Sequence, residues 1–586
     1  MNWDLSYFYK NEKEFNDDFQ RLEEKIPLLA NYQGKLSEFK YFKEYFLFEE
    51  EITKLLYRLY MYSHLASDLN LKDQQLQQRN QMVILKMNQI GSLTAYVSPE
   101  IISIGEEKVL EFVNKDEFLK PYLFNFQKLF KQQEHVLSNL EEQVLANFEP
   151  TRSIPVQLYN SLALTDRTDE KVVLSTEEEL TVNTQNWRSL LPKYQKEEDR
   201  ELIFKAAFKR YQDNKDAFSA TYNLVLQQLA SNYKSRHYNS ALASKLDGNN
   251  IPLDVFLTLK DTVYESTKPV KRYLALRKKH LNLSEYHTYD RFLPLIPALN
   301  KEYSFEEGKE LFFQALEGYD SEFVANQKQA LKKGHVDVEM KDGKRTGAYS
   351  SSVYGHHPFI LLNHDKSLDS VFTLVHEAGH SAHSIFSNDN QPLPTSRYTI
   401  FVAEIASTFN ERLLADYLLN KSSSKAEKIT IIEREIDGIL STFYRQTLFA
   451  HYEYEANQLV EKGIPLNSTN LSKIMIDLYQ HYYDIDITKE PGKQYVWAYI
   501  PHLFHTPFYV YQYASSYAAS LKIYQDVKAR KSEAMTKYLE LLKSGGNDYP
   551  VEQAKKAGAD LTLKSTYQAV VNRLEELINE LESLLS

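Results

Sequence analysis

Three histidines and one glutamate fall within nine residues, VHEAGHSAH, at 375–383. On a helix, His376 and His380 are four residues apart, so their rings project from one face and can close on a single ion. Glu377 lies about 100° round the helix from His376, beside such an ion, where its carboxylate can take a proton from an activated water. A catalytic zinc calls for one further protein ligand. His383 shares the face of His376 but stands roughly 10 Å further along the axis, too far for the same ion, and reads as a supporting or packing residue. The third ligand is sought on FVAEIASTFNE, a second helix that a connection of about 15 residues can bring back antiparallel. Glu404 is the preferred donor there. Glu411, seven residues on and on the same face, is the competitor; it can equally orient a ligand histidine.

Two histidines at this spacing also occur on plain helix surfaces. Here, however, VFTL precedes the motif and the small residues Ala378 and Gly379 lie inside it. These mark a partly buried helix, where several ionisable groups would be costly without an ion. Two histidines, a glutamate and a neighbouring carboxylate define metal-assisted hydrolysis of a carbonyl compound, with Glu377 passing its proton to a leaving amine. The anionic tetrahedral intermediate needs hydrogen-bond donors. IPHLFHTPFYVYQYASSYAAS, 500–520, offers them: Tyr509, Tyr513 and Tyr517 share a helical spacing, and His502 lies just upstream. With 42 tyrosines in the chain, packing is the competing reading for this stretch.

The elements that must carry these residues are mostly helical. Only 17 Gly and 18 Pro occur in 586 residues, too few for an all-β fold rich in tight turns. Apolar residues at 43% and charged residues at 25% suit a globular chain with a large core, long enough for several domain-sized units. The first ~145 residues read as successive amphipathic helices, FLFEEEITKLLYRLYMYSHLASDL among them. From Pro150 to about Leu191 the pattern turns irregular, with TRSIP, the β-branched pieces KVVLS and ELTV, and turn formers at Asp166, Asp169 and Asn183. Helices resume at about Glu197 and include DVFLTLKDTVYESTKPVKRYLALRKKHL, opened by Pro252. A β-rich interval, VDVEM, the turn KDGK, GAYSSSVYG and PFILLN, stands directly before the histidine helix, for which Asp369 offers an acidic, cap-like start. The polar segment NDNQPLPTS after Ser387 leads on to the FVAEIASTFNE helix.

A net charge of −11 argues against nucleic acid as a partner. The absence of Cys excludes disulfides, thiolate nucleophiles and Cys-ligated zinc. Neither a secretory signal nor a long apolar span is evident, so the expectation is a cytoplasmic protein with no membrane partner.

The chain resembles the zinc metallopeptidases of the thimet oligopeptidase superfamily, and within it the bacterial oligoendopeptidase F branch. PFILLNHDKSLDSVFTLVHEAGHSAHS, FVAEIASTFNE, IPHLFHTPFYVYQY and LLKSGGNDYPVEQAKKAGADLT carry the likeness, in this order. It implies a mainly α-helical, two-lobed fold with a small sheet beside the HExxH helix and one zinc ion per chain deep in a channel. It implies a helical N-terminal module over 1–195, whose boundary region is 150–195, and a catalytic domain over 196–586. The activity implied is internal cleavage of short oligopeptides. Carried over, it makes His376, His380 and Glu404 the zinc ligands and Glu377 the base, and it makes His502, Tyr509 and Tyr513 donors to substrate or oxyanion, leaving open which tyrosine serves the oxyanion. The strand GAYSSS, 347–352, becomes an edge that pairs with extended substrate backbone. Two other readings stand beside this one: a zinc aminopeptidase, which would need an acidic anchor for a free amine, and a non-catalytic helical peptide-binding protein.

Overall fold

The computed structural model of the chain describes residues 2–165, 169–297, 299 and 301–586; Asp166, expected in a turn, lies outside them. The chain is mostly helical, with a two-stranded and a three-stranded sheet. It divides into two compact units, and neither is a contiguous stretch: one comprises Met1–Glu134, Asn300–Leu418 and Ser520–Ala559, the other His135–Leu299, Leu419–Ala519 and Asp560–Ser586. This division differs from a sequence boundary at 195/196, because packing joins the N-terminal helices to elements more than 200 residues away. Phe42, Leu59, Leu65, Phe112 and Phe126 share one buried cluster with Phe359 and Leu361. Each such side chain removed from water contributes about 1.5–3 kcal/mol. The indole of Trp3 seals the join, donating to the Ile360 carbonyl at 2.8 Å.

In this first unit the β-rich interval forms strands β3 (Val336–Asp337), β4 (Tyr349–Ser351) and β5 (Phe359–Leu361), in the order β3-β5-β4. β5 is fully buried and central, parallel to β3 and antiparallel to β4, with Ser350 opposite Ile360. The KDGK turn therefore does not join two paired strands. Its Gly343 takes φ +80°, and Lys344 folds inward, its ammonium bonded to Asp337 Oδ1 at 2.6 Å and to the carbonyls of Glu339 and Leu362. Beyond β5, the Leu368–Asn390 helix is capped by Ser367, whose hydroxyl accepts from Ser370 N at 3.1 Å. Asp369 sits inside the first turn, where it complements the helix dipole, and is not the cap. The Ile400–Lys421 helix follows.

The second unit holds β1 (Glu170–Val173) paired antiparallel with β2 (Glu179–Val182). The irregular interval is narrower than the sequence suggests. The Asn139–Arg152 helix runs through position 150, and Ile154–Asn160 follows with Pro155 in its first turn, where a missing N–H costs nothing. The stretch after Pro252 is two helices, Leu253–Glu265 and Lys268–His280, because Pro269 cannot donate back to the preceding turn and is accommodated only at a helix start. The tyrosine-rich stretch is likewise broken. A short helix, Pro501–His505, ends at Thr506; Phe508 takes φ +58°; and a new helix spans Tyr511–Lys528. Pro507 disfavours helical backbone at Thr506 and supplies no N–H, so Tyr509 precedes the helix that carries Tyr513 and Tyr517. Among the described residues no helix is long and apolar enough to cross a membrane.

Candidate metal centre

The histidine helix and the Glu404 helix cross at Gly379. A Cβ placed there would stand 2.6 Å from Ser407 Cα and 2.7 Å from the Ala406 carbonyl oxygen, so only glycine permits the approach. Asn410 locks the crossing: its amide donates to Val375 O at 3.0 Å and exchanges hydrogen bonds of 3.0 and 3.2 Å with Gln327, both residues buried.

At this crossing the structure brings together His376, His380 and Glu404. His376 Nε2 lies 3.1 Å from His380 Nε2, and Glu404 Oε2 lies 3.4 and 3.5 Å from the two. Donors placed about 2.0–2.1 Å from a tetrahedral zinc are separated from one another by roughly 3.3 Å, so the three atoms have the spacing of three corners of that tetrahedron. The far side of each ring is already engaged. His376 Nδ1 meets Glu411 Oε1 at 2.7 Å, and His380 bonds to the backbone of Ala403. Glu411 is thus the residue that orients a histidine, and Ser407 Oγ steadies Glu404 by donating to Oε2 at 2.9 Å. Two imidazole nitrogens and a carboxylate converging in a half-buried place fit a divalent cation. Burial disfavours a charged His376, but the hydrogen bond and charge of Glu411, then the charge of Glu404, outweigh it and raise its pKa, while burial and the His376 charge lower that of His380.

Glu377 is 7% exposed, and burial pushes its carboxyl up to about 7, opposed by the His376 charge and by a backbone hydrogen bond from Ser350 on β4. A carboxylate poised near neutrality is suited to take up and return a proton. Ser350 also reaches the histidine helix through its hydroxyl, 2.8 Å from Ser381 Oγ. His383 is fully buried and lies flat on the Tyr398 ring, centroids 3.7 Å apart, with neither ring nitrogen hydrogen-bonded; burial lowers it to about 3. It is a packing residue.

His502, Tyr509 and Tyr513 form a cluster of their own in the second unit. His502 stacks parallel to Tyr509 at 5.9 Å, and Tyr513 meets both edge-on at 6.1 and 5.3 Å. Sequence reasoning passed over Asn410, Gln327 and Ser350. Ser350 lies in the GAYSSS strand already singled out, whereas Asn410 and Gln327 carry no mark in the sequence that sets them apart from their polar neighbours.

Comparison with known proteins follows the same residues. Peptidase family M3 matches residues 190–573, and Oligopeptidase F matches residues 100–168. The Oligopeptidase PepF of Bacillus subtilis (strain 168) is 33% identical over 586 residues, covering 100% of this chain and 87% of that protein. An oligoendopeptidase F homolog of Borreliella burgdorferi is also 33% identical, covering 98% of this chain and 97% of its own. Among solved structures, oligoendopeptidase-F from Enterococcus faecium superposes with a TM-score of 0.76 at 27% identity, covering 98% of this chain and 99% of that one.

Proposed function

The chain belongs to peptidase family M3 and is a metalloendopeptidase of oligopeptides, and from that premise we propose that His376, His380 and Glu404 hold one zinc ion per chain with Glu377 as general base. The observation that carries this reading is the 3.1–3.5 Å spacing of the three donor atoms, with a buried glutamate beside them. Bound there, zinc supplies a Lewis acid for the scissile carbonyl and eases loss of a proton from water. Glu377 accepts that proton and returns it to the nitrogen of the broken amide. Glu411 keeps the His376 lone pair directed at the ion. His502, Tyr509 and Tyr513 serve as donors to the substrate or to the oxyanion that develops on it, one of the tyrosines taking the oxyanion. The outer edge of β4 pairs with extended substrate backbone, a reading supported by its place at the edge of the sheet. A helical N-terminal module over 1–195 and a catalytic domain over 196–586 accord with separate matches over 100–168 and 190–573, the second of which begins five residues before 195.

The test is a mixed peptide library offered in two forms, blocked at both ends and with free N-termini, incubated with native protein, with chelator, and with Glu377→Gln. Native protein cuts blocked peptides internally and chelator stops it. Glu377→Gln keeps about one zinc per chain and loses about 10²–10⁴ in kcat. Cleavage confined to free N-termini would replace this reading with an aminopeptidase, and an active Glu377→Gln would remove the base assignment.

A further inference from the structure

The loop that carries Tyr509 is held by a residue outside the donor cluster. Phe508 has φ +58°, backbone that a bulky side chain adopts only when its surroundings impose it. Its ring is buried against Phe256, centroids 6.0 Å apart and nearly perpendicular. Its N–H donates at 2.8 Å to Glu453 Oε1, and Glu453, on the Arg445–Glu461 helix, is 1% exposed. Within the turn, Thr506 N bonds to His502 O, Tyr509 N to Thr506 O, and Gln512 N to Tyr509 O.

A carboxyl in this position is expensive to bury. Its neighbours on the same helix, Leu448, Phe449, Tyr452 and Ala456, are apolar or aromatic, and an aliphatic side chain would fill the place at less cost. Lys245 is the cation that acts on it, and the hydroxyls of Tyr222 and Tyr452 share its surroundings. Burial pushes it up to about 8, so near neutral pH it is largely the neutral acid, which still accepts from an amide through its carbonyl oxygen.

We propose that Glu453 is a positioning residue for catalysis: by holding the Phe508 amide it fixes the left-handed turn that sets Tyr509 parallel to His502 and edge-on to Tyr513. This rests on the reading of the tyrosines as donors. A donor displaced by about 1 Å loses on the order of 10²-fold in rate while ground-state binding persists.

The test is a cycle in zinc-loaded full-length protein with a blocked peptide substrate. Glu453→Met, which removes the acceptor but fills the space, is expected to lower kcat about 10–100-fold with KM changed less than about threefold. Glu453→Gln, isosteric with the neutral acid, restores kcat to within about threefold of native. On a Tyr509→Phe/Tyr513→Phe background, Glu453→Met adds less than about threefold, because no donor is left to position. Should Glu453→Met fail to fold, Glu453→Asp, which draws the carboxyl back by one methylene, takes its place with the same expectations. Multiplying effects on the double-Phe background, or equal losses in the Gln and Met variants, overturn the positioning role while leaving the donors standing. An unchanged kcat in Tyr509→Phe/Tyr513→Phe removes the donor reading, and the positioning role with it.

Discussion

Gly379 offers the sharpest test of how the metal site is held together. In a helix interior, replacing glycine by alanine ordinarily stabilises by about 0.5–1 kcal/mol, because the unfolded chain loses freedom. Here the added methyl would stand 2.6 Å from Ser407 Cα and 2.8 Å from the Ala406 carbonyl carbon. Relaxed carbon contacts lie at about 3.5–4.0 Å, so the two helices must part by about 1 Å, at an overpacking cost of about 1–3 kcal/mol. The net effect on the fold is small, a melting temperature lower by about 1–2 °C at roughly 1 °C per kcal/mol for a chain of this length. The effect on the site is larger. Glu404 is one turn from Ser407 on the helix that is pushed away, and its Oε2 now stands 3.4 and 3.5 Å from the two imidazole nitrogens. Metal sites accept bond-length departures of about 0.2 Å, so a shift of about 1 Å takes Glu404 out of coordinating range or strains both rings. Gly379→Ala is therefore expected to fold, to bind zinc at least about 10-fold more weakly, and to recover only part of its kcat in excess zinc. Competition with a chelator of known affinity, alongside a thermal melt, measures both effects. A variant that melts higher than native and holds zinc unchanged would show that the glycine is incidental and that the helix crossing does not set the ligand spacing.

Three other outcomes are expected. Tyr513→Phe lowers kcat about 10²-fold with KM within about threefold, since an oxyanion donor acts chiefly in the transition state; steady-state kinetics showing the loss in KM alone would assign it to binding. Glu411→Gln weakens zinc binding about 10–100-fold through His376, read by chelator competition, and an unchanged affinity would reduce Glu411 to packing. For pH, burial carries Glu453 from 4.5 to about 8 in the folded chain, so between those values the folded state keeps a proton that the unfolded chain has lost. Stability from this residue is thus complete below about pH 4.5 and falls as pH rises through about 8, with Lys245 working in the opposite sense. Melting curves of Glu453→Gln and native protein should diverge in favour of the variant from about pH 4.5 to about 8, and parallel curves would contradict the raised pKa.

The grouping of His376, His380 and Glu404 is legible in the sequence because helical period and coordination geometry constrain it jointly. Four residues separate His376 from His380, seven are too many for His383, and the missing donor had to come from a neighbouring helix. Which glutamate stands with the two histidines is not fixed by spacing, since Glu404 and Glu411 share a face; the crossing at Gly379 brings the turn after Glu404 into contact and leaves Glu411 on the outer nitrogen of His376. The helix over the tyrosines failed for a local reason that Pro507 already announced, because an i, i+4, i+8 repeat in a tyrosine-rich chain arises without a helix. Lys344 and Glu453 show a different limit. A lone charged residue in a polar turn or on a helix carries no mark of burial, and only distant partners, Asp337 with the Leu362 carbonyl in one case and the Phe508 amide in the other, make it tolerable inside. The three-stranded sheet was expected as an interval but not in its order, since a β5 placed between β3 and β4 depends on packing against the N-terminal helices.

The chain passes three times into the unit that bears the metal ligands, over Met1–Glu134, Asn300–Leu418 and Ser520–Ala559. During synthesis at about 5–20 residues per second, both ligand helices emerge well before the last of these segments, and Gly546, whose amide bonds to the Thr395 carbonyl between them, is among the latest parts to arrive. A nascent or truncated chain ending short of that segment lacks part of the scaffold around its histidines. A fragment that keeps VHEAGHSAH but ends before Ser520 carries the motif without these contacts.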